Sequence, residues 1–354
     1  MCHTVFPQLN QFGKSFFDNG FRIPGSEDSS PLAFGKTSPV SFSTRATLVY
    51  DPKADKKVQT VWDDAQIHLS GLLTKNDAFY MHLHAFEMSR GGDFYEIWAQ
   101  HSFGGKSPLN IRIGQFVLPL AFTPELQRLT WGEYLAYGQR VGFNDFSLAN
   151  PQTGITASWG KPNNGLRLDV AFTQPRRHFE NGGGEDSNLL FTSPTFSNVF
   201  TKVQYQAERV RVGIFHDSGK TNLFTTVSDG EGSSSISKST DSYTRSGIDA
   251  EAQLGKFRLY GQLLAGTHSN PLSNGERGSM NGGFIGLDYA MGKKCMIYLR
   301  YDKAQTRTSD GLSTQLGPLF GFTHLLKPNW QAQLEYQHMG SDENLLVFSN
   351  RIAF

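Results

Sequence analysis

Only two cysteines, Cys2 and Cys295, occur in 354 residues. That excludes a disulfide framework, and no CxxC/His set has structural-zinc spacing. Charge of one sign is also missing: Lys+Arg 33 against Asp+Glu 32 leaves a net charge of +1. With no basic excess to neutralise phosphates, no nucleic-acid partner is expected. Long apolar runs are absent. The longest, such as residues 116–122, span about seven residues and contain Pro119, far below the roughly 18 that a membrane-spanning helix needs. There is no nucleophile elbow, P-loop, G-x-G-x-x-G fingerprint or H-E-x-x-H, so hydrolytic and nucleotide-dependent chemistry have no support.

What the chain does have is 37 Gly, 28 Phe and 13% aromatic residues. From Ser41 onward it alternates almost without pause. Leu166, Leu168, Val170 and Phe172 share one face, Arg167, Asp169 and Thr173 the other. Ile248, Ala250, Ala252 and Leu254 oppose Asp249, Glu251 and Gln253. Phe257, Leu259 and Leu263 oppose Arg258, Tyr260 and Gln262, and Trp330, Ala332, Leu334 and Tyr336 oppose Gln331, Gln333, Glu335 and Gln337. Each such segment is a strand with one apolar and one polar face.

Alternation alone also describes a soluble sandwich. Three further features select a transmembrane barrel. About 17 segments run for about 9–12 residues, the length that crosses a bilayer at a tilt. Aromatics sit near segment ends (Trp62, Tyr80, Trp159, Tyr205, Tyr289, Tyr301, Trp330, Phe354), as interfacial girdles require. Connections alternate in length: long at 175–196, tight at Ala207, long at 218–243, tight at Gly255, medium at 269–280, tight at Gly292. Short periplasmic turns and longer outer loops produce that succession. The fold expected is therefore all-β, an antiparallel barrel in the bacterial outer membrane surrounded by lipid. Its strand number should be even, 16 or 18, because single-chain bacterial barrels are even-numbered. The barrel is placed at residues 41–354, with residues 1–40 as a separate N-terminal segment. A C-terminal Phe354 on the last strand resembles the assembly signal of outer-membrane proteins. Such a destination requires a secretory leader, and none precedes the barrel, so residues upstream of Met1 are expected.

Residues 118–138 do not fit a strand, because Pro119 and Pro124 each remove a ladder donor. The run Gly114-Gln115-Phe116, then Pro119, then Arg140-Val141-Gly142 is similar to a pattern in phosphate-selective and related porins. The resemblance implies an inward-folded segment that narrows the pore. Arg112, Glu125, Arg128, Glu133 and Arg140 are the candidate pore-constriction residues, able to tune permeation. The interior face inferred from the period carries Arg112, Arg167, Asp169, Lys202, Arg209, Arg211, Asp249, Glu251, Arg258, Arg300, Asp302 and Glu335. Both signs are mixed, so strong ion selectivity is not expected. Cys295 falls on the apolar face with Ile297 and Leu299, as an inert lipid-facing or packing residue.

The N-terminus carries the one trace of cofactor chemistry. Cys2-His3 matches the end of a C-x-x-C-H haem c attachment motif, whose first cysteine would precede Met1. The string C-H-T-x-F-P-x-L-x-x-F-G-x-x-F-x-x-x-G-[FY] over residues 2–21 resembles the N-terminus of fused monohaem cytochrome c–porins, outer-membrane proteins of iron-oxidising bacteria. That resemblance implies one haem c, covalent through Cys2, with His3 as proximal iron ligand. The distal ligand has three candidates on interior faces: His68, His82 and His84. The same three histidines also read as ordinary polar lumen residues. Three functions follow: electron transfer across the outer membrane with a periplasmic cytochrome or other electron-transfer subunit as partner, a passive plugged porin, and a barrel sheathing the cofactors of a larger complex. Phe6, Leu9, Phe12, Phe16, Phe17 and Phe21 are too apolar for a free tail, so each reading expects residues 1–40 to be covered.

Overall fold

Alternating apolar and polar residues force each strand to choose between lipid and lumen, and the choice is consistent around the whole wall. The computed structural model describes residues 3–5, 8–9, 13, 40–87, 90–104, 108–122, 128–160, 164–175, 196–228, 234–339 and 343–353. Two short strands, β1 (His3–Val5) and β2 (Gln8–Leu9), pair with each other. Sixteen strands then follow: β3 (Val40–Tyr50), β4 (Val58–Leu72), β5 (Asp77–Glu87), β6 (Arg90–Phe103), β7 (Leu109–Phe116), β8 (Gln152–Gly160), β9 (Gly165–Pro175), β10 (Asn198–Gln206), β11 (Val210–Ser228), β12 (Ser234–Leu254), β13 (Phe257–His268), β14 (Gly278–Ala290), β15 (Cys295–Thr308), β16 (Gly311–Lys327), β17 (Trp330–Met339) and β18 (Glu343–Ala353). Each pairs antiparallel with its sequence neighbours. β18 closes on β3, from Leu346↔Tyr50 to Ala353↔Ser43, so the sheet has no edge.

Both ends of the barrel, Val40 and Ala353, lie at one rim with the short turns. Those turns use glycine where the backbone needs positive φ, at Gly255 (φ 62°) and Gly292 (φ 107°). That rim is periplasmic and the opposite one faces outward.

The inferred facing is observed. Asp169, Asp249, Arg300, Asp302 and Glu335 are buried on the lumen side, while Leu168, Leu259, Leu263 and Leu334 are exposed on the outside. Three expectations are corrected. Arg209 does not face the lumen; it is exposed in the β10–β11 turn, because the strand alternation stops at Gln206 and resumes only at Val210. Tyr80 belongs to no girdle: it points inward and packs on Trp98, ring centroids 5.3 Å apart. Residues 218–243 are not a long loop. β11 and β12 continue as a paired ladder to Ser228↔Ser234, since their Ser/Thr-rich alternation suits a solvated hairpin. Cys295 does lie on the outer face, half-buried, with Sγ 2.9 Å from His324 Nδ1.

Candidate functional site: the lumen and its inward segment

Between β7 and β8 the chain leaves the wall and folds inside it. Leu118, Leu120, Phe122, Tyr134, Ala136, Tyr137, Val141, Phe146 and Leu148 from this stretch are all buried. They pack on lumen-facing Phe200, Phe215, Tyr243, Tyr260, Leu264, Met280 and Phe284, so the barrel holds a hydrophobic core of its own. Tyr134 stacks on Phe284 at 4.2 Å, and Phe122 meets Tyr260 and Phe284 at 5.4 and 5.3 Å. Burying several large side chains, at about 1.5–3 kcal/mol each, holds the segment against one side of the lumen.

Polar contacts fix where it lies. Glu335 on β17 accepts the Trp131 and Gly132 amides, both at 2.8 Å, and the Tyr298 hydroxyl at 2.7 Å. Arg300 on β15 donates to Thr130 Oγ1 (2.6 Å), Gly132 O (3.0 Å) and Glu133 O (2.5 Å), while its guanidinium lies 4.4 Å over Tyr134. The Tyr137 hydroxyl donates to Gln262 at 2.5 Å; burial pushes its pKa well up, so it stays a donor. A second anchor lies beyond the 118–138 interval expected from sequence. Asn144 donates to Asp241 Oδ2 at 2.6 Å, beside the His268–Asp241 pair at 2.6 Å, and Arg245 donates to Phe146 O at 3.0 Å. No local pattern around Asn144 signals this, because its partner is 97 residues away.

Charges on the wall are mostly paired. Arg211 meets Glu251 at 2.7 Å, and Arg258 bridges Glu251 and Asp288 at 3.0 Å each. Arg167 pairs with Asp169 at 2.9 Å and Arg300 with Asp302 at 2.5 Å. Phe122 lies beneath the Arg211 guanidinium at 4.8 Å. Such pairs leave no field of one sign along the wall.

The residues expected to tune the pore are separated. Arg112, on β7, donates to Gln100 Oε1 at 3.2 and 3.0 Å and lies 3.9 Å over Trp98. Arg128 is buried and spent on the backbone oxygens of Thr130 and Trp131, both at 3.1 Å. Glu133, 3.6 Å from Arg128, is 70% exposed and so presents its carboxylate to the open lumen. Arg140 is half-buried. Glu125 lies outside the described residues, as does Cys2; His3 is placed only through the β1 backbone.

The three candidate histidines do come together. His68 and His82 stack at 4.3 Å, His82 and His84 lie 4.7 Å apart, and Tyr95 is 5.1 Å from both of the latter. His68 Nδ1 is 2.9 Å from Tyr80 Oη. Among the described residues, no three His, Cys, Asp or Glu are arranged to hold a metal ion.

No family model and no curated protein matches the chain. Solved structures do match. An anion-selective porin from Comamonas acidovorans aligns at TM-score 0.64 and 13% identity, over 89% of this chain and 98% of that one. In-vitro folded OmpT of Vibrio cholerae, in its trimer form, gives 0.63 and 10% over 89% and 98%. Salmonella typhi OmpF in complex with daunomycin gives 0.63 and 10% over 89% and 97%. This chain has the fold of outer-membrane porins, a closed antiparallel barrel of sixteen strands.

Proposed function

We propose that this outer-membrane barrel is a passive porin for small hydrophilic solutes, with a path narrowed by residues 117–151. The observation that carries this reading is the inward segment itself, clamped on one side of the lumen by Glu335 and Asn144. A wall of paired charges supports permeation with little preference for either sign. Glu133 is the side chain best placed to bias it, slightly toward cations. Reversal potentials in a KCl gradient across planar bilayers test this. A K⁺/Cl⁻ permeability ratio within a few-fold of unity is expected, falling on Glu133→Gln. A strongly one-signed ratio would rule the reading out.

A second reading rests on the His68–His82–His84 cluster. Imidazoles are apt haem-iron ligands, so this donor set suits a c-type haem attached at Cys2. His3 and one of the three wall histidines would hold the iron, and the haem would supply one-electron transfer to a periplasmic cytochrome or other electron-transfer subunit. Covalent haem that survives denaturation, with a low-spin spectrum lost in His3→Ala, is the expected result. Full-length protein without covalent haem leaves the passive porin alone.

A further inference from the structure

The short turns of the periplasmic rim share a charge that the outer rim lacks. Lys75 (between β4 and β5), Arg209 (β10–β11), Lys256 (β12–β13) and Lys293 and Lys294 (β14–β15) are exposed there, and Lys327 is exposed at the end of β16. Lys106 and Lys161 stand in the sequence of the β6–β7 and β8–β9 connections, outside the described residues. Against these cations the turns hold a single carboxylate, Glu208. Asp77, the first residue of β5, is taken by His101 Nδ1 at 2.7 Å. None of the six described cations makes an ion pair among the described residues. The outer connections run the other way: Asp and Glu outnumber Lys and Arg in their sequence, and Asp229, Glu231, Asp310 and Asp342 stand in connections with no cation at all.

The cations sit on fixed mounts. Gly255 (φ 62°) and Gly292 (φ 107°) close their turns tightly and leave Lys256, Lys293 and Lys294 at the tips. Each turn is tied to the next hairpin. Arg209 O accepts from the Gln253 amide at 2.8 Å, Lys256 O from the Ala290 amide at 2.9 Å, and Lys294 O from the Leu325 amide at 2.8 Å. Outward-facing Leu254 and Phe257 flank Gly255-Lys256, so the cations stand just beyond the apolar band, on its water side.

Magnitudes decide what such a ring can hold. Sixteen strands about 4.8 Å apart, tilted by about 40°, set the turns about 16 Å from the pore axis. That is about two Debye lengths at ~0.15 M salt, so a small ion on the axis is largely screened from the ring. A phospholipid meets it only from outside, one or two cations at a time. A body lying across the mouth meets the cations together, and their attraction sums. We propose that the periplasmic rim docks a soluble acidic protein, whose carboxylate-rich face covers the mouth. Because the backbone belt is already fixed, docking orders only the lysine and arginine side chains. The proposal rests on the sidedness of the barrel and on neither reading of what passes through it.

Poly-L-glutamate stands in for the acidic face in the test. The full chain is inserted in a phosphatidylcholine planar bilayer at low salt, with a tag in the 229–233 connection marking the outer side. The polymer should lower the conductance from the periplasmic side and leave it unchanged from the outer side. The half-blocking concentration should rise roughly tenfold in Lys256→Gln/Lys293→Gln/Lys294→Gln, which removes three exposed pairs. Lys56→Gln/Lys57→Gln, in the outer 51–57 connection, should not shift it. Free glutamate at the same carboxylate concentration should not block, and the polymer should still block when phosphatidylglycerol replaces phosphatidylcholine. Equal block from both sides, no block from either, an unshifted rim variant or block by free glutamate would overturn the proposal. So would loss of the block in phosphatidylglycerol, because the membrane's own phosphates would then match the ring. Sidedness is read on the unsubstituted chain, so it decides even if the triple variant does not insert.

Discussion

Glu335 accepts the Trp131 amide at 2.8 Å, tying the inward segment to a strand 204 residues further along the chain. The same carboxylate takes the Gly132 amide, the Tyr298 hydroxyl and the Gln337 amide (2.6 Å). One acid therefore serves donors from three elements, and its loss would strand all of them.

Glu335→Ala should release residues 128–134 from the wall. Each orphaned buried donor costs about 1–3 kcal/mol, so the contact fails while the barrel ladder stays intact. Limited proteolysis should cut the segment in the variant and not in the parent, with the folded barrel's gel mobility retained. Equal protection in both would contradict the anchor.

Asn144→Leu should act on the other end. It keeps the branching of the side chain but removes the Asp241 contact and the turn made by the Phe146 amide to Asn144 Oδ1 (2.9 Å). Single-channel recordings should become noisier, with brief steps to a wider level. The two anchors share no partner, so Glu335→Ala and Asn144→Leu should add. Strong non-additivity would show that they are one unit.

Leu263→Arg, on the outer face at 63% exposure, should cost roughly 2–4 kcal/mol in vesicle unfolding if the site lies near mid-bilayer. Glu133→Gln, in the open lumen, should cost little and change permeation instead. Similar stability losses at both sites would place the register wrongly.

The register was legible because period-2 alternation is local: Arg258 and Gln262 against Leu259 and Leu263 can be read without knowing any partner. That residues 118–138 leave the strand pattern was legible from Pro119 and Pro124; their inward fold was what the resemblance to phosphate-selective and related porins implied. Its attachment was not legible, since Glu335–Trp131 and Asn144–Asp241 join residues 204 and 97 apart. The outer half of the β11–β12 hairpin was missed for another reason. Above the membrane a strand no longer needs an apolar face, so the stretch from Ser234 to Ser242 reads like a loop although its ladder continues. The meeting of His68, His82 and His84 was partly legible, since adjacent strands carry all three on the inward face.

The most direct measurement of the central claim is single-channel conductance before and after replacing residues 119–150 with a short Gly/Ser linker. The barrel's ladders run from β7 directly to β8, Leu109↔Trp159 to Phe116↔Gln152, and do not pass through the segment. Conductance should rise severalfold, with larger sugars admitted in liposome swelling. Unchanged conductance and an unchanged size limit would show that residues 117–151 do not set the path.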